Sequence, residues 1–254
     1  MTVASPPARL AHLITQAKRS RSLIQDLETT LQPDSKDDAY LTQQEILRLN
    51  SWEVGGWKVG SKSIDGAVQG SPLPRKCLFK PGQTFNPLDF PPVGLELEIA
   101  FRFKRDFAPR DDAYSEQEVL AGIGEMAATI EIVSSRFAAF PRVEPLTQLA
   151  DLLNHGALII GEFVPYEPDF DFVKPSAEFT LEGESIVFST VANPAGDPRR
   201  LLTWLVNHYT SQGQTLHAKY VITTGSYTGM HFAKTSGNVE GKIQGLPPVS
   251  LTLS

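Results

Sequence analysis

The segment Leu95-Glu96-Leu97-Glu98-Ile99-Ala100-Phe101-Arg102-Phe103 alternates apolar and polar side chains almost without a break. Successive side chains of a strand point to opposite faces. The run therefore predicts a strand whose Leu95, Leu97, Ile99, Phe101 and Phe103 face a core, while Glu96 and Glu98 face away from it. Further along, Thr129-Ile130-Glu131-Ile132-Val133 sets a third carboxylate in an apolar run. A lone acid there costs free energy unless it is paired or coordinated. Three carboxylates converging from two strands suit a hard divalent cation with positions left for a ligand. The plainer reading is a half-buried strand with one wet face, as antiparallel sheets often have. Pattern alone leaves both open.

With 254 residues, the chain has room for one large domain or a domain with a helical appendage. A hydrophobic fraction of 41% beside 20% charged residues is ordinary for a globular protein with a sizeable core. The net charge of −6, with no lysine-arginine stripe among aromatics, argues against a nucleic-acid partner. Cys77, the one cysteine, excludes an intramolecular disulfide framework and a cysteine metal cluster, and fits a reducing compartment. The opening Met1-Thr2-Val3-Ala4-Ser5-Pro6-Pro7 lacks the basic and apolar stretches of a signal peptide. No apolar window approaches the ~20 residues that span a bilayer. A soluble, cytoplasmic protein with no membrane partner is expected.

Helical spacing of Leu10, Leu13, Ile14 and Ala17, and again of Leu23, Ile24, Leu27 and Leu31, predicts helices up to the break at Gln32-Pro33-Asp34-Ser35. Another helix is expected over 38–49, giving an N-terminal helical portion over 1–53. From Val54 the texture changes, and Gly55-Gly56-Trp57-Lys58-Val59-Gly60 reads as a short strand. Ser115-Glu116-Gln117-Glu118 is a capping box; its helix is expected to carry Val119, Leu120, Ile123 and Met126 into the Glu131 strand. Asp197, Pro198 and Gly213 bound a further helix with Leu201, Leu202, Trp204, Leu205 and Tyr209 on its buried face. Strands are expected over 177–181, 186–190, 220–224 and 249–253. The reading is an α+β, strand-rich body over 54–254 behind N-terminal helices.

Three further features carry chemistry. Lys58 is either a lysine snorkelling past an apolar stem or a proton donor and carboxylate anchor beside a desolvated site. The segment 223–229, Thr-Thr-Gly-Ser-Tyr-Thr-Gly, ends a strand in a glycine-bracketed turn that either presents amides and hydroxyls to an anion or is simply a turn. His155, before the apolar Ala157-Leu158-Ile159-Ile160, is the histidine best placed for catalysis; His12, His208, His217 and His231 show no metal-ligand spacing. No Gly-x-Ser-x-Gly elbow or phosphate-binding glycine loop is present.

In order along the chain, Ala39-Tyr40-Leu41-Thr42-Gln43, Gly56-Trp57-Lys58-Val59-Gly60, Glu96-x-Glu98-Ile99-Ala100-Phe101, Glu131-Ile132-Val133-Ser134-Ser135-Arg136, Asp151, Trp204-Leu205-Val206-Asn207 and Gly225-Ser226-Tyr227-Thr228-Gly229 resemble the 2-keto-4-pentenoate hydratase branch of the fumarylacetoacetate hydrolase superfamily. The resemblance implies a β-rich catalytic body of the fumarylacetoacetase type. It implies Mg²⁺ or Mn²⁺ held by Glu96, Glu98 and Glu131, and Lys58 as the active-site lysine. Ser226 and Thr228 would contact the substrate carboxylate, Asp151 belongs to the substrate-binding set, and identical chains are expected to assemble.

The reaction implied is metal-dependent hydration of a 2-hydroxy-2,4-dienoate, such as 2-hydroxypenta-2,4-dienoate, in aromatic-compound breakdown. The surroundings of the substrate depart from the family's pattern. Pro72-Leu73-Pro74-Arg75-Lys76-Cys77 lacks its acidic residue, Ser134 replaces an aspartate, and Asp151-Leu152-Leu153-Asn154-His155 differs from its Asp-Asn-Ala-Ser-Ser stretch. Decarboxylation of a 2-oxo diacid and C–C hydrolysis of an acylpyruvate, with His155 as base, therefore stand as alternatives on the same metal platform. A non-catalytic oxo-acid or metal binder is the reading from another class. Arg75 and Lys76 suit a second substrate carboxylate, or simply solvent.

Overall fold

The computed structural model describes residues 4–188 and 190–254. Two helices, α1 (Pro6–Ser20) and α2 (Lys36–Asn50), lead into strands β1 (Val54–Gly60), β2 (Gln69–Pro74), β3 (Leu78–Phe79), β4 (Gln83–Phe85) and β5 (Gly94–Phe103). After α3 (Glu116–Leu120) come β6 (Ile123–Val133), α4 (Pro145–Ala150), β7 (His155–Ile160) and β8 (Val164–Pro165). The rest runs β9 (Ala177–Leu181), β10 (Glu184–Ser185), α5 (Arg199–Thr210), β11 (Val221–Ser226), β12 (His231–Phe232), β13 (Gly237–Ile243) and β14 (Val249–Leu253).

The larger sheet has the order β2-β1-β11-β5-β6-β7-β3. At about 4.8 Å per step, a flat row of these strands would hold β2 and β3 roughly 29 Å apart. Only Arg75–Cys77 joins the end of β2 to the start of β3, a reach of about 15 Å at most. The sheet must therefore curl until its edges nearly meet. Its outer face takes the odd residues of β5, with Leu95, Leu97, Ile99 and Phe101 fully buried against the second sheet, β10-β9-β13-β14-β4. Each such side chain contributes about 1.5–3 kcal/mol. The two sheets approach so closely at Gly241 that a Cβ there would stand 2.5 Å from Leu97.

The inner face has an apolar floor of Leu73, Ala100, Leu158 and Val221. Two residues along the same strands, on the same face, stand Ser71, Glu98 and Thr223. A polar layer thus lies on a dry floor at one end of the curl. The N-terminal helices form their own core: Leu10, Ala11 and Ile14 of α1 and Ala39 and Ile46 of α2 pack with Leu149 and Ala150 of α4. Among the described residues no helix is long and apolar enough to cross a membrane.

Three sequence expectations fail. Leu23 to Leu31 is not a helix: Arg21 turns left-handed at φ 55° and ends α1, Ile24 bridges Phe137, and only Thr29–Leu31 makes a single 3₁₀ turn. The backbone of Ile24 is taken by Arg136 and Ala138 (2.8 and 2.9 Å), so tertiary pairing overrides helical spacing. The capped helix stops at Leu120, and Ile123 and Met126 lie on β6, because β5 offers a pairing ladder as far as Ile123 opposite Phe103. The strand expected over 186–190 is instead Glu184–Ser185; Phe188 leaves the sheet to bond Thr228 (2.9 Å), and Ser189 lies outside the described residues. The other expected elements form, although α5 begins at Arg199 with Pro198 rather than Asp197 in the cap position; Asp197 still accepts from the Arg199 amide (3.0 Å).

Candidate metal centre

The register of β5 and β6 puts Glu96 directly opposite Glu131 and Glu98 opposite Thr129. Oxygens of Glu96, Glu98 and Glu131 all lie within 4.8 Å of one another. Glu98 and Glu131 are fully buried and Glu96 half-buried, so this face is not the solvated side of a strand. The Thr223 hydroxyl and the Gly225 amide (3.2 Å) both donate to Glu98 Oε2. Its Oε1 is buried with no hydrogen-bond partner. A buried carboxylate oxygen left unmatched costs several kcal/mol, and a cation between the three groups would satisfy it.

Lys58 reaches the cluster from β1. That strand lies close to β11 because Gly56 has no side chain: a Cβ there would meet the Val221 carbonyl oxygen at 2.1 Å. The Lys58 ammonium sits 2.7 Å from Glu131 Oε2 and donates to the Leu153 carbonyl at 3.2 Å. Two of its three protons are thereby engaged. His155, at the start of β7, donates Nδ1–H to Glu131 Oε1 at 2.9 Å. Its Nε2 is buried without a hydrogen-bond partner, and the Cys77 thiol lies near the imidazole.

The electrostatics follow from burial and crowding. Burial, the Glu131 charge and then that of Glu96 push the Glu98 carboxyl up to about 8. Burial, countered by Lys58 and reinforced by Glu131, pushes Glu96 up to about 7. Burial also opposes ionisation of Glu131, but Lys58 and His155 outweigh it and hold this carboxyl below its usual range. Burial disfavours the Lys58 ammonium, and Glu131, Glu96 and Glu98 together reverse that and raise it. The site thus holds one firm ion pair and two carboxyls that wait for a cation.

The other residues singled out from sequence sit around this centre. Ser226 is half-buried, opposite Glu98 in the β11–β5 register, and its hydroxyl donates to the Gly229 carbonyl (3.1 Å). Thr228 is fully buried and accepts from the Leu97 amide (3.4 Å). Asp151 is fully buried and paired with Arg136, whose guanidinium also donates to the carbonyls of Ser134 (2.7 Å) and His155 (2.9 Å). That pair ties down the turn Leu152–Asn154, where all three residues adopt positive φ (51°, 51° and 58°). Left-handed conformation costs non-glycine residues about 1–2 kcal/mol each. Here it points the Leu153 carbonyl at Lys58.

Sequence reading gave Thr223 only a place in the 223–229 turn, and no role at the site to Arg136, Leu153 or Cys77. A signal existed for two. Thr223 lies two residues from Val221 on the inner face, and an arginine after an apolar strand needs an acid such as Asp151. A carbonyl aimed by a left-handed turn leaves no mark in the residue types.

No family model matches the sequence. A 4-oxalocrotonate decarboxylase of a Pseudomonas species is 24% identical over 135 residues, 53% of this chain and 52% of that protein, so the match spans about half the length of that relative. The solved 4-oxalocrotonate decarboxylase of Pseudomonas putida G7, complexed with magnesium and adipate, superposes with a TM-score of 0.86 at 21% identity over 100% of this chain and 99% of that one. A Yersinia pestis CO92 protein assigned to the fumarylacetoacetate hydrolase family matches over 80% of this chain and 94% of its own, with a TM-score of 0.56 at 17% identity. This chain has the fold of the fumarylacetoacetate hydrolase superfamily.

Proposed function

We propose that the chain is a divalent-metal-dependent enzyme acting on an unsaturated 2-oxo acid, and that its reaction is decarboxylation of a 2-oxo diacid of the 4-oxalocrotonate kind. The observation that carries this reading is a lysine ion-paired inside a cluster of three carboxylates. The full-length likeness to a 4-oxalocrotonate decarboxylase supports it. Glu96, Glu98 and Glu131 would hold Mg²⁺ or Mn²⁺; that relative carries magnesium in one structure and calcium in another. When bound, the cation would supply Lewis acidity toward the keto and carboxylate oxygens of a 2-oxo acid.

The chain's own groups do the rest. Three carboxylates, one dication and Lys58 carry no net charge, so an anionic substrate is not repelled. Lys58, pinned by Glu131 and Leu153, keeps one N–H for the substrate carboxylate or for a proton returned to carbon. When the distal C–CO₂ bond breaks, its electron pair passes along the conjugated chain to the keto oxygen, and the resulting dienolate must take a proton, on that oxygen or on a chain carbon. Lys58 and His155 are the groups placed to deliver it, with Glu131 fixing the imidazole. Ser226, opposite Glu98, would meet the substrate, whereas Thr228 and Asp151 would act by holding the loop and the turn.

The second reading is hydration of a 2-hydroxy-2,4-dienoate on the same groups, favoured by the ordered motifs shared with 2-keto-4-pentenoate hydratases. Incubation with 2-oxo-3-hexenedioate, with and without EDTA, tests the choice. Metal-dependent release of CO₂ is expected. Turnover of 2-hydroxypenta-2,4-dienoate to 4-hydroxy-2-oxopentanoate, with no CO₂ from the diacid, would assign the hydratase instead.

A further inference from the structure

The ladder between β11 and β5 breaks beside Glu98. Thr223 pairs with Ala100 and Ser226 with Glu98, so three residue steps along β11 answer two along β5. Such a bulge leaves one residue outside the ladder and re-aims what it carries. Here the Gly225 amide turns in and donates to Glu98 Oε2 at 3.2 Å. Gly225 has φ 93°, a conformation that favours glycine.

The group that holds this amide comes from outside both strands. Asn193 is buried in the segment between β10 and α5. Its Nδ2 donates to the Thr224 carbonyl at 3.0 Å and to the Gly225 carbonyl at 3.3 Å. Its Oδ1 accepts from the Ala195 amide at 2.9 Å. Only the oxygen end of the side chain can accept that bond, so the NH₂ end is turned toward β11. The Asn193 backbone is fixed in turn, its amide donating to the Val173 carbonyl (3.1 Å) and its carbonyl accepting from Gly196 (3.0 Å).

The Thr224 carbonyl and the Gly225 N–H belong to one planar trans peptide, in which they point opposite ways. Asn193 grips one side, and the N–H on the other side is thereby aimed at Glu98. Without that grip, a peptide followed by glycine can turn over at little steric cost. It would then present a carbonyl oxygen to the carboxylate in place of a donor.

We propose that Asn193 is a positioning residue for the metal centre: by holding the Thr224–Gly225 peptide it fixes Glu98 Oε2 and leaves Oε1 to the cation. The inference rests on the proposed function and adds a residue that acts on the metal through the Gly225 amide.

The test is Mn²⁺ affinity of Asn193→Asp by electron paramagnetic resonance, with hydrogen exchange at the Gly225 amide followed by selective ¹⁵N-glycine labelling. The substitution keeps the size of the side chain and the acceptor for Ala195, removes both donations and adds a negative charge. A charge acting only through space would tighten cation binding. The reverse is expected: affinity about 10–100-fold weaker, the usual cost of losing a group that orients a ligand, with faster exchange at Gly225 in a chain that circular dichroism shows to be folded. Asn193→Ala adds no charge, should weaken Mn²⁺ alike, and serves if the buried carboxylate impairs folding. Equal or tighter Mn²⁺ binding in the folded variants would overturn the role of Asn193 and leave the metal site standing. Weaker binding with an unchanged Gly225 amide would overturn the route through that peptide. A wild type that binds no Mn²⁺ would overturn the metal centre itself, and this role with it.

Discussion

Glu96 of β5 and Glu131 of β6 stand directly opposite each other in an antiparallel ladder, with Glu98 one inner-face position away. Like charges so placed weaken a sheet. Lys58 offsets one of them at 2.7 Å, and a dication would offset the rest. Mg²⁺ or Mn²⁺ at one hundred times its Kd should therefore stabilise the fold by about 2.7 kcal/mol. That is a rise in thermal midpoint of roughly 5–10 °C for a chain of this size. Scanning calorimetry with metal and with EDTA reads it, and Glu98→Gln should shrink the rise.

Stability of the metal-free protein should fall as pH rises from about 5 to about 8. Glu98 and Glu96 are raised from their ordinary 4.5 to about 8 and about 7. The folded chain therefore binds more protons than the unfolded one across this window. A raised pKa contributes stability that is full below the unfolded value and is lost as pH passes the folded value. Metal affinity should move oppositely, strengthening with pH as the carboxyls release protons. Urea unfolding at several pH values with EDTA checks the first trend, and Mn²⁺ titration the second.

Thr223 should tune the metal without touching it. Its hydroxyl fixes Glu98 Oε2 and leaves Oε1 facing the other carboxylates. Thr223→Val should weaken Mn²⁺ binding about 10–100-fold, the usual cost of losing a group that orients a ligand, while Thr223→Ser should restore most of it. Equal affinity in all three proteins would contradict this role.

The Arg136–Asp151 pair should be costly to break from one side. Arg136→Met leaves a buried carboxylate without its cation, a loss of about 3–5 kcal/mol, measurable by urea unfolding. The same variant should release the left-handed turn that aims the Leu153 carbonyl at Lys58. Mn²⁺ affinity should change little, so turnover should fall further than metal binding does.

Legibility of the chain divides along a physical line. The β5 strand was readable because alternation along ten residues has a period no helix shares, and α5 because its ends carry Asp197, Pro198 and Gly213. Ile123 and Met126 misled because a capped helix and the following strand can both satisfy their spacing; the partner strand decides. Leu23 to Leu31 misled for the same reason, Phe137 and Arg136 being far away in sequence. At the site, the residue types of Glu96, Glu98, Glu131, Lys58 and His155 were visible. Their mutual arrangement depends on the curl of the sheet and on Gly56 admitting β11, which no local pattern encodes.

The most direct measurement of the central claim is Mn²⁺ binding by electron paramagnetic resonance to the wild type, Glu98→Gln and Glu131→Gln, with circular dichroism to verify the fold. The account predicts one tight Mn²⁺ per chain in the wild type and loss of that site in both folded variants. Unchanged Mn²⁺ binding in both variants, or none in the wild type, would contradict it.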